Sequence, residues 1–358
     1  MGKHVREIPT NYVDLVFEGG GIKAIGLVGA LAALEEADYQ PQNMAGTSAG
    51  AIVAALYAAG YSASDLYEIL TQEAFPEFLD KGPEDCLPLI GPLVSVAQAF
   101  GLYEGERLYR RIKTLLAAKD VRTFADLRHP WFYGHDNPFY RYRMYAVVSD
   151  LTLRRMLVLP ADAEALGVDP DDLEVAQAVR MSTSIPLVFE PVFFKNPRTG
   201  QTHILVDGGL LSNFPVWLFD TEEGEIPPWP TFGLRLVEED VRRPALVDGP
   251  PGEYRPIENF LEFLFRLVQT MVEAHDRLYI ENADFARTIP IPSLGIPTLK
   301  FHLSDEEREA LYQAGYQAAK KFLETWDFQA YIDAFRQKRK TVSRRALLQQ
   351  YMAGKKGG

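Results

Sequence analysis

Cysteine is nearly absent: Cys86 stands alone among 358 residues, so no internal disulfide can form and a reducing compartment suits the chain. An excess of positive charge is missing too. Lys and Arg number 37 against 49 Asp and Glu, a net charge of −12, which excludes a polyanion such as nucleic acid as the principal partner. No run of about 18 apolar residues occurs, so no membrane span is expected. Met1 to Arg6 does not lead into the apolar core of a secretory signal, and Arg6 stands where N-myristoylation expects Ser or Thr. The expectation is a cytoplasmic chain that meets membranes only from outside. At 47% hydrophobic residues it has ample material for a large core.

Three glycine-bearing stretches carry the chemistry. The central one is Gly46-Thr47-Ser48-Ala49-Gly50. A short apolar approach precedes it and an alanine-rich run, 51–59, follows, which reads as strand, sharp turn and helix with a serine at the apex. Gly-x-Ser-x-Gly is the pattern of a nucleophile elbow. Its glycines let strand and helix close on each other, and the hydroxyl stands at the positive end of the helix. The same five residues also fit a plain Gly/Ser loop that opens a helix.

Upstream, residues 12–17 read as a buried strand that breaks into Glu18-Gly19-Gly20-Gly21, with helical spacing over 22–36. Gly19-x-Gly21-x-x-Ala24 matches the dinucleotide fingerprint in form, yet that reading expects an acid at the end of the second strand, where the serine elbow stands instead. A Walker loop is excluded, because no Gly-Lys-Ser/Thr follows the glycines. The remaining use is an oxyanion hole. A βαβ crossover makes the two strands parallel neighbours, so the loop Gly19, Gly20, Gly21 and Ile22, Gly20 and Gly21 foremost, can face the carbonyl oxygen that Ser48 attacks. Lys23 closes the motif.

The third stretch is an apolar strand, 203–206, ending in Asp207-Gly208-Gly209 and followed by Asn213-Phe214-Pro215. An Asp-Gly turn is common between strands. A carboxylate at a strand end is equally a base presented beside a nucleophile, with the glycines letting backbone pass close by. A serine needs such a base. The histidines after Asp207 are His275, in a helical context, and His302, just before a helix. Neither has the loop setting of a triad histidine, so a Ser48–Asp207 dyad fits better, provided burial raises the aspartate above its ordinary value near 4.

Elsewhere, helices are expected over 61–74, with Ser62 or Ser64 as N-cap, over 106–118, 173–181 and 257–278. Strands are expected over 142–148 and 155–159, with Ser149-Asp150 turning between them, and over 231–236. Short extended segments are expected at 288–291 and 298–301. The irregular, proline-rich stretch 75–103 reads as a packed connection, or as a lid over the serine. Ser182, Thr183 and Ser184 read as helix-end hydroxyls. Ser304 and Glu307 form a capping box opening a helix that reaches Trp326. The basic tail beyond Asp333 suits contact with an anionic membrane face.

The three motifs, in this order and context, resemble the patatin-like phospholipase family: a glycine loop with a following base, Gly-x-Ser-x-Gly one βα unit later, and Asp-Gly-Gly much further on. Lys23 and the Asn213-Phe214-Pro215 return fit the pattern; Ala24 departs from it, the family more often having glycine. The resemblance implies a three-layer α/β/α fold with a mainly parallel central sheet. It spans 10–326, with the motifs in 10–236 and a helical continuation over 255–326; the basic tail over 327–358 lies outside it. It implies a Ser48–Asp207 dyad acting without metal or other cofactor on fatty-acyl esters of phospholipids, lysophospholipids or neutral lipids. The competing expectations are a catalytically silent member that binds lipid or protein, and a triad using His275 or His302.

Overall fold

The computed structural model describes residues 9–72, 101–129, 138–221, 225–237, 282–296 and 302–336, together with residues 263, 267 and 270 as single helical positions. Most of 75–103 and of 257–278, and all of 298–301, lie outside the described residues, as do Cys86 and His275.

The first half of the chain comprises β1 (Tyr12–Phe17), a 3-10 turn (Gly21–Lys23), α1 (Ala24–Glu36), β2 (Gln40–Thr47), α2 (Ala49–Ala58), α3 (Ala63–Gln72), β3 (Gly101–Tyr103) and α4 (Glu106–Ala117). The second half holds β4 (Met144–Asp150), β5 (Arg155–Leu159), α5 (Val175–Ser182), β6 (Leu187–Phe189), β7 (Val192–Lys195), β8 (Thr202–Asp207), β9 (Thr231–Val237), α6 (Asn282–Ala286), β10 (Thr288–Pro292), α7 (Asp305–Leu323) and α8 (Phe328–Phe335). The main sheet runs β10-β9-β1-β2-β4-β8-β7, with β5 also on β4, and β3 pairs with β6 in a small second sheet. Strands β10, β9, β1, β2 and β4 are parallel, whereas β5 and β8 run antiparallel to β4, and β7 to β8.

Composition explains this layout. β4 is buried at every position, as a strand covered on both faces must be. Helices α1 and α2 are apolar nearly all round and sit inside, whereas α4 buries only Leu108, Ile112, Leu115 and Leu116, one stripe at helical spacing. Ser62 wins over Ser64 as the cap of α3: its Oγ accepts from the Asp65 amide at 3.1 Å while Asp65 Oδ2 accepts from the Ser62 amide at 2.8 Å. The box of Ser304 and Glu307 opens α7 in the same way.

One edge of β4 sets the geometry that matters. Thr47 at the end of β2 pairs with Val147, and the next residue, Val148, pairs with Asp207 at the end of β8. On its other edge β4 carries β5, through Val147 with Val158 and Val148 with Leu157. Strands β2 and β8 thus arrive on one edge from opposite directions and meet tip to tip.

Three expectations are corrected. Asp150 is still in β4, so the turn falls at 151–154. Short strands β3, β6 and β7 were not foreseen. The residues that open the supposed tail form α8 instead: Asp327 caps it by accepting from the Ala330 amide, and Tyr331 and Ile332 are buried.

Candidate active site

β2 ends at Thr47 and α2 begins at Ala49, leaving Ser48 alone between them. Its backbone sits at φ 54°, ψ −126°, a conformation costing a non-glycine residue about 1–3 kcal/mol. Close packing holds it there. A Cβ on Gly46 would stand 2.3 Å from the Gly50 carbonyl, and one on Gly50 would stand 2.4 Å from the Phe17 carbonyl oxygen. Strand, turn and helix close on each other only with glycine at both places.

Parallel pairing of Phe17 with Gly46 brings the glycine loop beside this elbow. A Cβ on Gly19 would lie 3.2 Å from the Ser48 Cβ and 2.2 Å from Asn213 Oδ1. Gly19 and Asn213 are reciprocally bonded: the Gly19 amide donates to the Asn213 carbonyl at 3.1 Å, and Asn213 Nδ2 donates to the Gly19 carbonyl at 3.0 Å. The Gly19 amide is therefore already engaged, unlike the open donor expected of it. Gly21 and Ile22 open the 3-10 turn, where the first amides have no intrahelical acceptor. Lys23 ends that turn, its amide donating to the Gly20 carbonyl at 3.3 Å.

Asp207 closes β8 and caps the turn that follows, its Oδ1 accepting from the Gly209 amide at 2.7 Å. Gly208 presses against the Val147 carbonyl of β4. The turn reading and the base reading of Asp-Gly-Gly therefore describe one object. Oδ2 is buried without a hydrogen-bond partner among the described residues. Burial pushes the carboxyl from 3.8 up to about 7, offset in part by the Ser48 side chain and the Gly209 amide, with no cation among the groups acting on it. Thr47 Oγ1 donates to the Ser212 carbonyl at 3.0 Å, tying the loop beyond Asp207 back to the elbow.

The histidines stand apart. His302 is exposed, ahead of the α7 cap. A buried histidine in the strand before Asp207, His203, bonds through Nδ1 to Asp150 Oδ2 at 2.7 Å. Four residues along β8 put it roughly 13 Å from Asp207, and Asp150 Oδ1 is occupied by the Thr152 and Leu153 amides. That pair stitches the β4–β5 turn to β8. The place of His203 at the head of an otherwise apolar strand was its only sequence signal. Among the described residues no three His, Cys, Asp or Glu side chains converge as metal ligands, and no helix is long and apolar enough to cross a membrane.

A strained serine elbow on a mainly parallel sheet, beside a glycine loop and facing a buried strand-end carboxylate, defines an α/β protein with a hydrolase-type site. The comparisons with known proteins give it a family. The model of the Patatin-like phospholipase family matches residues 15–220, and the chain belongs to that family, one of lipid hydrolases. The protein YqhO of Bacillus subtilis (strain 168) is 36% identical over 88% of this chain and 100% of its own length. The probable lipid hydrolase 463L of Invertebrate iridescent virus 6 is 24% identical over 58% of this chain and 63% of its own. Among solved structures, VipD from Legionella pneumophila shares the fold with a TM-score of 0.52 at 16% identity, covering 89% of this chain and 68% of its own.

Proposed function

We propose that this protein hydrolyses fatty-acyl esters of phospholipids or lysophospholipids through an acyl-serine formed on Ser48, with Asp207 as the base. The observation carrying this reading is the meeting of Ser48 with a buried carboxyl that has no cation beside it among the described residues and is pushed up to about 7, close to the pH at which a general base works best.

In this reading ionised Asp207 takes the Ser48 proton as Oγ attacks the ester carbonyl. The oxyanion is held by the amides of Gly20, Gly21 and Ile22 at the start of the 3-10 turn, where helix-terminal N–H groups favour negative charge. Collapse of the tetrahedral species expels the alcohol, which receives the proton from Asp207. Water, deprotonated by the same carboxylate, then attacks the acyl-serine. Fatty acid leaves, and the proton returns to Ser48.

The test is fatty-acid release from a mixed phospholipid and lysophospholipid panel, together with mass-spectrometric mapping of a fluorophosphonate adduct. Release with the adduct on Ser48 supports the reading. A folded protein that neither releases fatty acid nor takes up the probe is the silent binder instead. Turnover that survives Ser48→Ala would overturn the assignment outright.

A further inference from the structure

Three hydroxyl residues end α5, and one behaves differently from its neighbours. Thr183 Oγ1 donates to the Val179 carbonyl at 3.0 Å and Ser184 Oγ to the Arg180 carbonyl at 2.8 Å, the back-bonding usual for hydroxyls in a helix. Ser182 instead reaches across the fold. Its Oγ donates to the Val147 carbonyl of β4 at 2.7 Å and accepts from the amide of Ser48 at 3.0 Å.

A hydroxyl has one proton. With that proton on Val147, a lone pair faces Ser48, so the polarity of the bridge is fixed. Ser182 is 0% exposed, leaving water no access to substitute for it. The bridge lands on the residue whose backbone is strained and on the β4 residue level with the end of β2. The same helix end also holds Asp207, whose amide donates to the Ser184 carbonyl at 2.9 Å. Arg180, largely buried, locks this turn: its guanidinium donates to Ser184 Oγ and to the carbonyls of Glu104 and Glu190.

We infer that Ser182 is the positioning residue for the nucleophile. Resting on the Ser48–Asp207 reading above, it holds the elbow at the separation from Asp207 that proton transfer requires, and α5 is the strut that fixes both groups at once. The Ser48 amide is engaged by Ser182 and is therefore not itself a free donor to the oxyanion.

The experiment compares Ser182→Ala with Ser182→Thr, which keeps the hydroxyl, using ester turnover, fluorophosphonate labelling rate and thermal midpoint. Misplacing a reacting group by about 1 Å costs on the order of 10²-fold, so Ser182→Ala is expected to lose about 10- to 100-fold in kcat with KM within twofold. Its labelling should slow by the same factor, and Ser182→Thr should stay within about threefold of wild type. Wild-type kcat in folded Ser182→Ala overturns the inference, as does equal loss in both variants, which would mark packing rather than the hydroxyl. If Ser182→Ala does not fold, near-isosteric Ser182→Cys decides, because a thiol is a weak acceptor: a clear fall in kcat supports the role and an unchanged kcat removes it. An inactive, unlabelled wild type would sink the Ser48 reading itself, a result distinct from these.

Discussion

Two aspartates, Asp207 at the end of β8 and the largely buried Asp220 in the chain that follows, meet opposite fates. Burial would raise Asp220, but Arg287 and Arg336 override it and hold its carboxyl below the ordinary carboxylate range. Arg287 Nη1 bonds Asp220 at 2.7 Å, and its other nitrogen bonds Asp284 at 2.6 Å; Arg336 reaches Asp220 from the end of α8. Asp207 suffers the same burial and receives no cation. Burial alone therefore does not mark a working carboxylate. Compensation by cations separates the two carboxyls, and in the reading proposed above the uncompensated one serves as the base.

The first way to break this comparison is Asp207→Asn. Removing one member of a catalytic unit costs on the order of 10⁴-fold or more, so acyl-ester turnover should fall by at least that factor with the fold intact. Residual turnover near wild type would return Asp207 to a turn residue. The mirror experiment is Arg287→Met, which leaves Asp220 short of one partner. Breaking a buried pair costs about 3–5 kcal/mol, and with Arg336 still present the lower end is expected in a denaturant titration. Turnover per folded molecule should be unchanged.

The pH dependence sharpens the contrast, since the two aspartates have opposite slopes. Asp207 binds its proton more tightly folded than unfolded, so it lowers stability as pH rises from 3.8 towards 7, and the full penalty is present above about 7. Asp207→Asn should therefore raise stability at pH 8, by up to about 4 kcal/mol, and make little difference near pH 4. Asp220, lowered in the fold, contributes stability above its unfolded value that is lost on acidification. On the activity side, kcat/KM should fall tenfold per unit below about pH 7 as Asp207 takes up its proton. A flat profile between pH 5 and 7 would reassign the base. The smallest effect belongs to His302→Ala. An exposed residue should change stability by less than about 0.5 kcal/mol and turnover not at all, whereas loss of turnover would restore the histidine triad.

Much of this was legible in the sequence because each motif is a local backbone requirement. Gly46 and Gly50 mark a turn where strand and helix backbones touch, Gly19 marks contact with the serine, and the apolar run of β4 marks burial on both faces. Element types followed from an apolar run for β1, helical spacing for α1, an alanine-rich run for α2 and a capping box for α7. Less legible were features created by long-range pairing. The strands β3, β6 and β7 are short and gain their identity only from a partner. Ser182 read as a helix-end hydroxyl because nothing nearby in the chain indicates that its proton goes to β4. His203 and Asp150 are far apart in sequence, as are Arg287 and Asp220, and charge pairs of that kind leave no spacing to read. The helix α8 was hidden by the basic residues that follow it.

The tip-to-tip meeting of β2 and β8 on one edge of β4 also bears on how this architecture tolerates change. Thr47, the residue before Ser48, and Asp207 are indexed to adjacent rungs of one strand, Val147 and Val148. Their separation is thus set by β4 together with the end of α5, and not by the loops that join the elements. Loops between β2 and β8 can lengthen, shorten or be exchanged without altering that spacing, so long as β4 keeps its register and α5 its place. A slip of one residue there shifts the pair by about 3.4 Å. The site is insulated from its loops and hostage to one strand and one helix end.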